Sequence, residues 1–371
     1  MSVYLDHAAS SPMRPEAVEA FVEASAVVGN PASLHRSGQR ARSVLEEARE
    51  GLAEALGAQP SEVIFTSGGS EADSIAVLGG LAARESEGRH RMLVSAIEHP
   101  AVIGAVGHGA ELLAVTRDGV VDATAAAGMI DATVAVVSVM AVNNETGVLQ
   151  PVEEIRRLAA RSGAWMHSDA VQALGHVPVD FGASHLDLMS LSAHKIGGPV
   201  GIGALLAGRA ITPAAIGLGG GQERGVRSGT AAVALAASFA CATRLAVQEL
   251  EAEALRLGEL RDRVAAAAVA AGARLNSRVD GAPHIVNATF GGIRADALLF
   301  LLDQRGVHAS VGSACRAGVH QPSEVLLAMG RTVDEAGQSL RFSLGHTTTD
   351  LDITRLESVL PLAVEQARAV R

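Results

Sequence analysis

Three features of the chain predict an α/β fold with a large and a small part. Short β-rich runs alternate with helical stretches through residue 192. One of those runs, 134–142 (VAVVSVMAV), is continuously apolar, as a strand buried on both faces of a sheet must be. Beyond residue 252 the alternations become fewer and shorter, the pattern of a smaller α+β unit. In order, the expected strands are 62–66 (EVIFT), 91–96 (RMLVSA), 112–116, 134–142, 164–168 and 186–192, with helical stretches at 38–56, 71–84 and 152–162. Such alternation reads as crossover units on a mainly parallel sheet. Ligands of such sheets bind beyond the carboxyl ends of the strands. A long helical run is expected at 245–271, where Leu250, Leu257, Leu260 and Val264 share one face and Glu259 and Arg263 form an i, i+4 pair. The short runs 284–290, 307–311 and 340–344 follow it, and the boundary between the two parts falls near residue 252.

Composition narrows the class. At 371 residues the chain exceeds the usual size of a single core, and 48% apolar residues are ample to build two. Its 40 acidic and 30 basic residues give a net charge of -10 with no basic block, so binding to nucleic-acid backbones is not expected. No uncharged run reaches the roughly 20 residues of a membrane span; the longest, 228–243, is closed by Arg227 and Arg244. The start, MSVYLDHAAS, has an early Asp6 and no basic-then-apolar pattern, so no signal peptide is expected. Cys241 and Cys315 are too few for a disulfide framework or a cysteine-rich metal site. These features suit a soluble cytoplasmic protein.

Of the 30 basic residues, 29 are arginine and one is lysine, Lys195. Arginine thus serves charge and solubility throughout, and the remaining amine can do what a guanidinium cannot: lose its proton and form a Schiff base. Lys195 lies in Leu191-Ser-Ala-His-Lys-Ile-Gly-Gly, immediately after an expected strand and therefore at the ligand rim. The strand 164–168 leads into His167-Ser-Asp169-Ala-Val-Gln172, which brings Asp169 to the same rim, either to hold a protonated ring nitrogen or to cap a turn. The strand 62–66 runs into Ser67-Gly-Gly69-Ser70-Glu71, a capped helix start or an anion cradle. Asn143-Asn144-Glu145 also follows a strand, where adjacent asparagines serve turns as well as ligands. His99 follows the strand 91–96 and is placed to stack on a planar ligand. The glycine-dense stretch 217–230 is a flexible loop or a second anion-binding element.

The two cysteines differ. Cys315 sits in Gly312-Ser-Ala-Cys-Arg-Ala-Gly318, among small residues and beside Arg316, which favours a thiolate. Cys241, in Ala237-Ser-Phe-Ala-Cys-Ala242, reads as a buried helical thiol. The hydrolase elbow, zinc-protease, P-loop and dinucleotide fingerprints are missing. A Schiff-base lysine, a carboxylate for a ring nitrogen, a phosphate cradle and a stacking imidazole on one rim are together what pyridoxal phosphate requires.

With these residues assembled, the chain resembles the cysteine desulfurases, pyridoxal-phosphate enzymes of the class V aminotransferase group. Tyr4-Leu-Asp-His7, Gly29-Asn-Pro-Ala-Ser33, Thr66-Ser-Gly-Gly-Ser-Glu71, Glu98-His99, Asn143-Asn-Glu145, His167-Ser-Asp-Ala-Val-Gln172, Ser192-Ala-His-Lys195, Gly219-Gly-Gly-Gln-Glu-Arg224, Arg227-Ser-Gly-Thr230, Gly312-Ser-Ala-Cys315 and Arg341-Phe-Ser343 carry the resemblance. It implies a fold-type I enzyme whose large domain, 14–252, has a mainly parallel seven-stranded sheet. A small domain of 1–13 and 253–371 would carry the cysteine loop.

The resemblance also implies roles. Lys195 would hold the cofactor and shuttle the Cα proton, and Asp169 would pair with the ring nitrogen. Gln172 would hydrogen-bond the ring oxygen, and His99 would stack on the ring and assist proton transfer as a catalytic residue beside Lys195 and Cys315. Gly69, Ser70, Ser192 and His194 would hold the phosphate, joined by Thr230 from the partner subunit of a homodimer. Asn144 and Arg341 would hold the substrate carboxylate, and Cys315 would accept sulfur from L-cysteine as a persulfide. The spacing from Cys315 to Pro322 resembles the long-loop subgroup, whose acceptors are iron–sulfur scaffolds and tRNA-thiolating enzymes. Ser70, Ser74, Ala141 and Arg316 depart from the family's usual residues. A selenocysteine lyase or an aminotransferase on the same fold is the alternative, although a plain aminotransferase needs no nucleophilic thiol.

Overall fold

Strands apolar on both faces can only sit in the middle of the molecule, and the computed structural model, which describes residues 2–312 and 322–369, places them there. In chain order the strands are β1 (Val3–Tyr4), β2 (Val63–Thr66), β3 (Arg91–Ser95), β4 (Glu111–Leu113), β5 (Val134–Ser138), β6 (Trp165–Asp169), β7 (Leu188–Ser192), β8 (Gly203–Ala207), β9 (Arg274–Leu275), β10 (Ile285–Thr289), β11 (Val307–His308) and β12 (Ser339–Ser343). The central sheet has seven strands in the order β2-β8-β7-β6-β5-β3-β4. Only β8 runs against its neighbours, so the expected mainly parallel α/β sheet is present. Every residue of β5, β7 and β8 is buried. Because β2, β6 and β7 point the same way, their carboxyl ends bring the segments after Thr66, Asp169 and Ser192 to one rim.

Three expectations are corrected. The strand expected over 134–142 ends at Ser138. Beyond it the amide of Met140 donates to the Glu98 carboxylate at 2.7 Å instead of to a ladder. β8, with the sequence GALLA, was not anticipated, for it has no β-branched or aromatic residue. The long helical run is two helices, Val233–Gln248 and Leu250–Ala270, bent by 72° at Glu249. The helix after β2 starts at Gly69, passes through a π-helical turn at Ile75–Gly79, and resumes at Gly80–Arg84. Among the described residues no single helix is long and apolar enough to cross a membrane.

A second layer consists of the antiparallel sheet β12-β10-β9 and the parallel pair β1–β11. Its core gathers Leu5, Leu257, Phe290, Phe342 and Leu356, whereas Leu52, Leu93, Val137, Leu191 and Phe239 belong to the core around the central sheet. The N-terminal segment ties the two layers together. Ser343 donates its amide to Leu5 O at 2.8 Å, while Ser11 and Arg14 donate theirs to His194 O and Gly197 O at 2.9 and 2.8 Å. This strap lies directly over the segment that carries Lys195.

Candidate active site

Where the strap, the strand ends and the second layer meet, a cavity of about 420 Å³ opens. Gly69, Ser70, His99, Asn144, Asp169, Gln172, Ser192, His194, Lys195 and Arg341 all line it. Ten residues from widely separated segments thus meet as expected. Thr230 does not join them: it is exposed on the segment after Arg227. Cys315 lies outside the described residues, but Ser310 and Gly312, just before it, line the same cavity. Cys241 is half-buried with the Arg244 guanidinium 3.8 Å from its sulfur, so it is not the fully buried thiol its apolar neighbours suggested.

Lys195 Nζ donates to the carbonyls of Ala8 and Ala9, both at 2.7 Å. Burial, and secondly the Arg341 cation, pull its pKa down to about 8, against the opposing pull of Asp169 and Asp6. A lysine in that range supplies neutral amine near physiological pH, as imine formation requires. Asp169 accepts the Val171 amide at 2.8 Å. Burial pushes its carboxyl up, and His99 and Lys195 only partly offset this. The site therefore favours a further cation beside that carboxylate. His99 is kept neutral by burial, and its Nδ1 accepts the Ala101 amide at 3.2 Å, which leaves the proton on Nε2. His194 bonds Ser10 Oγ through Nδ1 at 3.2 Å and is held neutral, pulled down to about 4 by burial and then Lys195.

The two asparagines divide the work that the sequence left open. Asn143 is the turn residue, its Oδ1 accepting the amides of Glu145 and Thr146 at 3.1 and 2.8 Å. Asn144 turns to the cavity with a buried, unpartnered Oδ1. Arg341 is aimed by two anchors, Nη1 donating to Asn144 O at 2.8 Å and Nη2 to Asp6 Oδ1 at 2.7 Å, and its Nε is buried without a partner. At Gly69 a Cβ would come within 2.9 Å of Val171 Cγ2, so a side chain here would force either the helix start or Val171 to shift.

Several site residues carry no sequence signal of their own. The carbonyls of Ala8 and Ala9 are backbone groups, and Asp6 is a single acidic residue far from Arg341 in the chain. Asp73 lines the cavity with an unpartnered Oδ1, 3.7 Å from His167 Nε2. Burial, reinforced by Asp169, pushes its carboxyl well up. Glu145 also lines the cavity and accepts the Ser323 hydroxyl at 2.5 Å.

Fold and cavity together set a lysine amine, a buried carboxylate and a helix start around one cavity at the carboxyl ends of a mainly parallel sheet, as suits an enzyme of the α/β class. The aminotransferase class-V family model matches residues 3–356. An IscS-like cysteine desulfurase of Mycobacterium tuberculosis is 47% identical, the alignment covering 98% of this chain and 97% of that one. The cysteine desulfurase IscS of Methanosarcina thermophila is 37% identical over 99% of this chain and 93% of its own. Among solved structures, a NifS-like protein superposes with a TM-score of 0.91 at 30% identity, covering 99% of this chain and all of that one. The chain belongs to the cysteine desulfurases of the class-V aminotransferase family and is pyridoxal-phosphate-dependent.

The residues present fit that cofactor. The Asp169 carboxyl favours a cation such as the ring nitrogen, Lys195 offers an amine, and Gly69, Ser70, Ser192 and His194 surround a pocket at a helix start.

Proposed function

We propose that the enzyme converts free L-cysteine to L-alanine, with Cys315 taking the sulfur as a persulfide for delivery to acceptor proteins. One observation carries this reading. The chain's only lysine and the unpartnered Nε of Arg341 face one cavity whose wall includes Ser310 and Gly312, and Gly312 precedes Cys315 by three residues in the sequence.

Each residue then has a task. Lys195 would hold the cofactor through its amine and would move the substrate's Cα proton. Asp169 would keep the ring nitrogen protonated, Gln172 would donate to the ring oxygen, and His99 would cover the ring face. Arg341, with Asn144 beside it, binds the substrate carboxylate through charge-assisted hydrogen bonds. Bound pyridoxal phosphate supplies an electron-withdrawing ring that acidifies Cα and loosens the bond to sulfur. The Cys315 thiolate would attack the substrate sulfur; the S–S bond forms as the Cβ–S bond breaks with its electron pair left on carbon, Cβ takes a proton, and Cα regains the one it lost, giving alanine. Both sides of the 313–321 segment meet Glu145. Ser323 Oγ donates to its Oε2, and a Cβ on Gly312 would lie 3.1 Å from the same oxygen.

The acceptors we propose are an iron–sulfur scaffold or a tRNA-thiolating enzyme, with the reaction taking place in the cytoplasm. A homodimer would use Thr230 to complete the neighbouring phosphate site. That segment is anchored by a double hydrogen bond of Arg49 to Glu223, 2.8 Å each, and by the Arg227–Glu71 pair at 3.2 Å. Purified protein given L-cysteine and a reductant should release alanine and sulfide in equal amounts. Pyruvate in place of alanine, or no product, would contradict the reading.

A further inference from the structure

We propose that His284 is a positioning residue for the cofactor site, holding the Gln172 amide in the one orientation that turns an N–H toward the cavity. This rests on the reading of Gln172 as the donor to the ring oxygen.

The argument begins with an acceptor. Gln172 Nε2 lies 2.9 Å from Ala8 O, and a carbonyl oxygen can only accept, so the amide nitrogen must be on that side. The amide oxygen is then the atom 3.2 Å from His284 Nε2. An amide oxygen also only accepts, so His284 must carry a proton on Nε2. Flipping the amide would set oxygen against oxygen at Ala8. The second N–H of Gln172 is left for the cavity that this residue lines.

The histidine is fixed as firmly as the glutamine. His284 is fully buried immediately before β10, and its ring stacks on His176 with centroids 3.5 Å apart and planes 10° from parallel. Burial above all, with the neighbouring His176, Arg341 and His7 acting in the same direction, pulls its pKa well below the usual imidazole value, so it is neutral. His176 is likewise neutral, pulled down to about 3 by burial. A neutral imidazole has one N–H, and here that proton goes to Gln172, leaving Nδ1 buried without a partner. Without this bond the Gln172 amide is held by the Ala8 carbonyl alone, so it is oriented less firmly and presents its second N–H to the ring oxygen for less of the time.

The test reads the visible absorbance of cofactor-loaded protein against pH, whose midpoint depends on how well the anionic ring oxygen is stabilised. Gln172→Leu should raise the midpoint by about one unit, the scale of one hydrogen bond to a charged atom. His284→Leu and His284→Met should raise it in the same direction, and His284→Gln, which keeps a donor at similar reach, should return it. The double variant Gln172→Leu/His284→Leu should go no higher than Gln172→Leu alone. Parent-like midpoints in both apolar His284 variants, or an additive double variant, would overturn the assignment while leaving the role of Gln172 intact. No shift in Gln172→Leu would overturn both. A measurement that needs no His284 variant is imidazole ¹⁵N NMR of the parent holoprotein. It should show His284 protonated at Nε2, with that signal moved by Gln172→Leu; protonation at Nδ1 would overturn the proposal.

Discussion

Lys195 and Gln172 share one acceptor: Nζ and Nε2 donate to the carbonyl of Ala8 at 2.7 and 2.9 Å. The carbonyl's two lone pairs are thereby taken by two side chains that both serve the cofactor. Because Lys195 rests on carbonyls and not on a carboxylate, its charge is not locked by an ion pair. The N-terminal strap thus tunes the lysine and orients the glutamine at a single atom.

The first prediction follows from that amine. With its pKa at about 8, Lys195 is mostly charged at pH 6.5 and mostly neutral at pH 9. The rate at which apoprotein takes up pyridoxal phosphate should therefore rise with pH to a plateau, half-maximal near 8. Borohydride should fix the cofactor to the one lysine-containing peptide. A pH-independent rate, or an adduct elsewhere, would count against the site.

Arg341 should act on binding. Lysine in its place keeps the charge but loses the planar fork, so Arg341→Lys should raise KM for L-cysteine by about tenfold, the scale of one charged hydrogen bond. Asp6→Ala frees only Nη2 and should raise KM less, with kcat near the parent value. Steady-state kinetics with alanine as the readout distinguish the two.

Much of this site was legible in the residues, and the gaps have physical causes. Lys195, Asp169, Ser192 and His99 could be placed because each lies at or just beyond the carboxyl end of a strand, and parallel strands deliver those ends to one rim. Residue type alone could not separate Asn144, which the family resemblance singles out, from Asn143, since both suit a turn and the fold shows which side chain closes it. The strap was not legible at all: its contribution is made through the carbonyls of two alanines. The bend at Glu249 was missed because neither glycine nor proline marks it and helical residues continue on both sides. Cys241 was judged by its neighbours, yet a helical residue's exposure depends on its own angular position, and Ala242 beside it is the buried one.

Glu98 carries a pH prediction. Its Oε1 accepts Ser95 Oγ and the Met140 amide at 2.6 and 2.7 Å, and its buried Oε2 has no partner. Burial pushes its pKa from 4.5 up to about 8. A carboxyl raised on folding contributes fully below the unfolded value, and that contribution is lost as pH rises through the folded one. Glu98→Gln, which keeps the Oε1 acceptor, should melt near the parent temperature at pH 5 and above it at pH 9. Equal melting at both pH values would contradict a buried neutral Glu98.

Gly69→Ala tests the cradle. The added methyl meets Val171 Cγ2 at 2.9 Å, so the helix start or the Val171 side chain, both at the cavity wall, must shift. Cofactor affinity should fall about tenfold while the apoprotein melts within a few degrees of the parent, as fluorescence titration and calorimetry would show.

The most direct measurement is a comparison of Cys315→Ser with the parent in L-cysteine. The variant's visible spectrum should still respond to the substrate, because that step needs only Lys195 and the groups that bind the carboxylate. Alanine formation should collapse, since a hydroxyl cannot accept the sulfur, while Cys241→Ser should turn over like the parent. If Cys315→Ser releases alanine at the parent rate, the persulfide route is wrong for this enzyme.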